Sequence, residues 1–180
     1  MAQLFSLGGI HTQQHTTTHN NTLITMGYGT DILAEAKPAI TMYHQVQQAI
    51  WKRHGLSGPS DERVLHDLSL GERAFILAHE FFAMYSEGGY DSYFFEGEGY
   101  RRAHEAVRVF RRVGLVNMAE FLSKAIEAAG IPEPVPLDYE YESPEDGFDE
   151  IESAYRKVRR SESLEETLVS YFKQHADEFV

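Results

Sequence analysis

From Asp31 onward, hydrophobic positions recur every three or four residues, and Gly and Pro separate the runs. That period belongs to helices with one apolar face. A helix is predicted after Pro38, with Ile40, Tyr43, Val46 and Ile50 on one side and an end near Gly55. Ser69-Leu70-Gly71-Glu72 reads as a capping box, opening a helix through Phe75, Ile76, Phe82 and Met84 that stops at Gly88-Gly89. A short aromatic segment follows, with Tyr93, Phe94 and Phe95 expected in the core. In 101–113, Val107, Phe110 and Val113 face one way while Arg101, Glu105, Arg108 and Arg112 face the other, and Gly114 closes the helix. Asn117 to Glu120 is expected to cap the next helix, which runs to Gly130. Three prolines make 131–136 an extended connection. Ser143-Pro144 is expected to start a helix with Phe148, Ile151, Tyr155 and Val158 inside. Ser163 caps a last helix carrying Leu164, Leu168, Tyr171 and Phe172, with Phe179 beyond. Alternation with a period of two is almost confined to Asp138–Glu142. The pattern predicts an all-α, single-domain helical bundle of about six to eight helices over 31–180.

Residues 1–30 look different, being rich in Thr, His, Gln, Asn and Gly with almost no charge. His11, His15 and His19 would align on a helix as metal ligands, but Thr and Asn are poor helix formers and no carboxylate joins them. The segment therefore reads as a flexible or partner-ordered arm, with no metal and no cofactor assigned.

Composition narrows the class. The chain has 180 residues, 42% hydrophobic, with 11 Phe and 10 Tyr, enough to fill a real core. It has no cysteine, which removes disulfides, thiolate metal sites and thiol nucleophiles together. No apolar run reaches the roughly 20 residues of a membrane span, and the N-terminus lacks the pattern of a signal peptide. A cytoplasmic protein is the expectation.

Charge sharpens this further. Of the net −12, the stretch from Ala125 to Val180 holds 15 acids and 5 bases, a balance of −10. Between Glu133 and Glu152 there is no Lys or Arg. Such a stretch repels phosphate backbones, so direct nucleic-acid binding is excluded and a basic partner is favoured. In Asp138-Tyr139-Glu140-Tyr141-Glu142, an extended backbone points three carboxylates one way at intervals of about 6.6–6.8 Å and both tyrosines the other. That resembles a row of phosphates. Ordinary uses compete for the same acids. Those after Pro144 suit a helix N-terminus, Glu152 can pair with Arg156, and the loop could lie against the arginine face of 101–112. A calcium loop would need a pattern that is missing here.

Enzyme signatures are incomplete. His79-Glu80 begins like a zinc-protease motif, but Ala83 stands where the second His belongs. Gly97-Glu98-Gly99 lacks the strand and further glycine of a dinucleotide loop, and no nucleophile elbow appears. Glu80 and Glu87, with His79 or Asp91, are the remaining candidates for a hydrolytic pair. No catalytic residue is assigned, and the chain is read as a non-enzyme.

Glu87-Gly88-Gly89-Tyr90-Asp91-Ser92-Tyr93-Phe94-Phe95 is the most distinctive string. With the helices on either side it resembles the DNA-mimic-protein-19 family of small acidic bacterial proteins, whose core reads like Asn-Gly-Gly-Phe-Asp-Gln-Phe-Phe. Gly88, Gly89, Asp91 and Phe94 match; Glu87, Tyr90 and Ser92 depart from it. Val113-Gly114-Leu115 stands where the family has Ile-Gly-Ala, and Tyr171 to His175 looks like its last helix. The resemblance implies an all-helical fold, a homodimer, and occupation of a DNA-binding protein in place of DNA. Gly88, Gly89, Tyr90, Asp91 and Phe94 carry over as a structural signature. The expected partner-binding residues are Asp138, Glu140, Glu142, Glu145, Asp149 and Glu152, facing the basic surface of a protein such as a transcription factor. An immunity protein that inhibits a basic toxin such as a nuclease uses the same electrostatics and is the alternative; a hydrolase trails both.

Overall fold

The computed structural model describes residues 28–33, 37–56, 62–96 and 99–179. Among them are eight α-helices and no strand, which bears out the all-α bundle. The expected arm, with His11, His15 and His19, lies outside the described residues up to position 27. Helix α1 (Tyr28–Leu33) begins at the arm's end. It is tied down by Tyr28, whose hydroxyl donates to Glu72 at 2.6 Å, and by Gly29 N–H, which donates to the Phe179 carbonyl at 3.3 Å.

Helix α2 (Ala39–His54) starts after Pro38 as the sequence indicates. Its buried face is Met42, Tyr43, Val46, Gln47 and Ile50, whereas Ile40 is exposed in the first turn. After the short α3 (Glu62–Asp67) comes the central helix α4 (Leu70–Asp91). Its capping box forms as expected. Ser69 Oγ accepts from Glu72 N–H at 3.2 Å and Glu72 accepts from Ser69 N–H at 3.0 Å. Helix α5 (Ala103–Val113) packs on α4, with Ala106, Phe110 and Val113 buried. Gly114 ends α5 at φ 93°, where an L side chain would be strained, and α6 (Val116–Ala128) follows at once. Helix α7 (Asp149–Val158) lies on α6, and α8 (Leu164–Gln174) closes over α2, α4 and α5.

Aromatic rings gather in two clusters within the core. Phe81 meets Tyr85, Tyr90, Tyr93 and Phe110 at centroid distances of 5.0–6.1 Å. Tyr85 and Phe121 both reach Tyr155 on α7. At the other end Phe179 returns onto Phe75 and Phe172, and its ring leaves no room for a side chain at Gly71. Each fully buried ring contributes about 1.5–3 kcal/mol.

Two helix starts differ from the sequence reading. Asn117 does not cap α6. The Glu162 carboxylate, from the α7–α8 connection, instead accepts from Asn117 and Met118 N–H, each at 2.9 Å. This satisfies two free amides with a negative charge at the positive end of the helix. Nor does Ser143-Pro144 open α7. The chain turns at Gly147 and becomes helical only at Asp149, while the Ser143 hydroxyl donates to Asp91.

Candidate partner-binding surface

The Gly-Gly motif is where α4 breaks and restarts. Gly88 lies at φ −159°, ψ 31°, and Gly89 at φ 71°, ψ −151°, a region open essentially to glycine alone. The break frees the amide of Tyr90, and Glu152 from α7 fills the gap, with Oε1 accepting from Tyr90 N–H at 3.0 Å. A Cβ on Gly89 would lie 2.7 Å from Glu152 Cδ and nearer still to Oε1. Glycine is thus required twice here, by its dihedrals and by the approach of the carboxylate. Beyond the break, Tyr90, Tyr93 and Phe94 are buried, in keeping with their structural role.

Phe95 departs from the expected core placement: it is 69% exposed. It follows Phe94 in a π-helical segment (Ser92–Glu96), where Tyr93 and Phe94 take the inward positions.

Asp91 and Phe94 hold the acidic segment. Asp91 Oδ1 accepts from the Tyr141 hydroxyl at 3.1 Å and from Ser143 Oγ. Both donors are hydroxyls from a segment about 50 residues away. Tyr141 lies against Phe94 at 5.5 Å and stacks on Tyr100 at 6.1 Å, and Tyr139 meets Tyr100 at 5.7 Å. Burial first, then the neighbouring Asp91 carboxylate, pushes the Tyr141 phenol well above its ordinary range, so it stays a donor. The alternation expected for 138–142 is therefore realised. Both tyrosines are turned in, and Asp138, Glu140 and Glu142 are exposed.

The acids of the last third divide into two groups. Glu133 pairs with Arg108 and lies 3.4 Å from His104 Nδ1. Glu162 caps α6, and Glu178 accepts from Gly71 N–H at 3.0 Å and from the Tyr171 hydroxyl. Glu152 belongs with these. It is half-buried, engaged by Tyr90 and 3.8 Å from Arg156, and so stands apart from the other expected partner-binding residues. In contrast, Asp138, Glu140, Glu142, Glu145 and Asp149 are exposed, as are Asp146 and Glu150. None of the seven has a hydrogen-bond or ion-pair partner among the described residues. Only Asp149 and Glu150 sit in the first turn of α7, where the helix end accounts for their sign.

The candidate hydrolytic residues are scattered. Glu80 is buried against Arg102, and burial, opposed by that guanidinium, raises its carboxyl. Glu87 is exposed, and His79 lies edge-on to Trp51 at 5.4 Å. Among the described residues no group of three His, Asp or Glu side chains could hold a metal, and no helix is long and apolar enough to cross a membrane.

A family model described as DMP19-like protein matches residues 66–175. No match was found among curated proteins or among solved structures. The matched span runs from α3 to the end of α8 and takes in the glycine break, the Asp91 anchor and the whole acidic segment. The chain belongs to the DMP19-like protein family.

Proposed function

We propose that this chain is a DNA-mimic-like binding protein that occupies the basic, DNA-binding surface of another protein, such as a transcription factor, and that it is not an enzyme. One observation carries the reading. Seven consecutive acids between Asp138 and Glu150 are exposed and have no partner among the described residues, while their own segment is fixed to the core through Tyr139, Tyr141 and Ser143. A segment held this way presents fixed negative charge without first having to order itself, which removes part of the cost of binding. Uncompensated like charge also steers a basic partner and repels nucleic acid. Asp138, Glu140, Glu142, Glu145 and Asp149 form the contact surface, and Glu152 supports it from behind. Family membership supports the reading, and a homodimer is part of the proposal.

The test is retention of a partner from the native cell on the immobilised full chain, with increasing duplex DNA as competitor. The expected result is a DNA-binding protein released by the duplex in proportion to its concentration. Retention that duplex DNA does not affect would refute competition for the DNA-binding surface.

A further inference from the structure

Beside the acidic segment lies a cleft of about 310 Å³ lined by Asp91, Ser92, Phe95, Tyr141 and Ser143. Its floor is aromatic, and the Phe95 ring, 69% exposed, lies at its edge. Asp91 Oδ1 already accepts from Tyr141 and Ser143, and Oδ2 has no partner among the described residues. Among the described residues the lining contains no cation, and none lies over the Phe95 ring. Elsewhere the chain sets its own arginines over aromatic rings, one half-buried and one buried. Arg159 lies 4.4 Å over Phe82, and Arg101 lies 4.9 Å over Tyr100. At Phe95 that place is open, next to a carboxylate oxygen and in a stretch without Lys or Arg.

We propose that this cleft receives an arginine side chain of the basic partner, with the guanidinium stacked on Phe95 and hydrogen-bonded to Asp91 Oδ2. The inference rests on the acidic-surface reading and adds an anchor to it. A planar guanidinium satisfies both walls at once, because it stacks on a ring face and donates in-plane to a carboxylate. Lysine, a strongly hydrated point charge, satisfies the carboxylate but stacks poorly. The surrounding acids attract any basic segment; the cleft selects arginine within it.

The probes are octa-arginine and octa-lysine peptides, titrated into the full chain at about 50 mM salt, where screening is modest. Phe95 is exposed, so Phe95→Ala and Phe95→Leu leave the core intact. Octa-arginine is expected to bind more tightly than octa-lysine. Phe95→Ala should weaken octa-arginine by roughly two- to thirty-fold and leave octa-lysine unchanged. Phe95→Leu, which keeps apolar area without the aromatic face, should behave like Phe95→Ala. Equal binding of both peptides that ignores Phe95 overturns the arginine cleft. It leaves the acidic surface standing if Asp138→Asn, Glu140→Gln and Glu142→Gln together still weaken both peptides. Affinities that ignore that triple substitution refute the acidic surface, and the cleft with it. Sedimentation of the same variants covers the remaining case. A dimer split by Phe95→Ala, with octa-arginine affinity unchanged, gives the ring to a second copy and overturns the proposal.

Discussion

Replacing Gly89 with alanine tests the joint between the family motif and the acidic segment. Two costs arise. Alanine at φ 71°, ψ −151° sits in a region that costs about 1–3 kcal/mol. Its Cβ also overlaps the Glu152 carboxylate, which must withdraw and leave the Tyr90 N–H without its acceptor, at about 1–3 kcal/mol more. The total of about 2–6 kcal/mol is a large share of the stability of a domain this size, about 5–15 kcal/mol. The two costs separate in a double-mutant cycle. With Glu152→Ala already in place the carboxylate is gone, so Gly89→Ala should cost only the dihedral part, about 1–3 kcal/mol. Urea unfolding, followed by helical circular dichroism and by the fluorescence of the single tryptophan, Trp51, gives all four free energies if the two transitions coincide. Equal costs of Gly89→Ala in both backgrounds would refute the steric account. A cost below about 1 kcal/mol in the wild type would refute the dihedral one as well.

Three further outcomes follow from the same contacts. Glu162→Ala removes the acceptor at the start of α6 and should destabilise the fold by about 1–2 kcal/mol in urea unfolding. Tyr141→Phe loses the hydrogen bond to Asp91, costing about 0.5–1.5 kcal/mol, and should speed amide exchange across 137–147 while α4 to α6 keep their protection. Burial, with His44 beside it, lowers the His79 pKa below the ordinary histidine value. The unfolded chain then binds the proton more readily, so the stability His79 contributes is complete above about pH 6.5 and is lost as the pH falls through its folded value. An NMR titration should find His79 less protonated than an exposed histidine at the same pH.

Helix periodicity and the contacts that stay within one turn were legible in the sequence. The capping box at Ser69 and the cap at Ser163 each span three residues, and both serines accept at the helix starts they were expected to cap. The turning-in of Tyr139 and Tyr141 was legible for the same reason, since alternation along an extended backbone is a local property. What could not be read were carboxylates acting across long separations. Glu162 reaches α6 from 44 and 45 residues away, and Glu152 reaches Tyr90 from 62. The donors to these carboxylates are backbone amides, which have no side-chain signature. For this reason Glu152 joined the supporting acids, while Ser143, in a sound local start signal, donates its hydroxyl to Asp91, 52 residues away. Phe95 was misplaced because three consecutive aromatics in a tight segment cannot all face inward, and sequence does not say which one turns out.

On the proposed function, exposed carboxylates on an anchored segment hold a basic partner. This is tested by the affinity of the full chain for a DNA-binding protein that it retains from the cell, as a function of salt, with and without Asp138→Asn, Glu140→Gln and Glu142→Gln. Three exposed pairs, worth about 0.2–1 kcal/mol each, predict a loss of about 3- to 150-fold at low salt and a shallower salt dependence. Unchanged affinity and an unchanged salt slope in a triple variant that keeps its fold would contradict it.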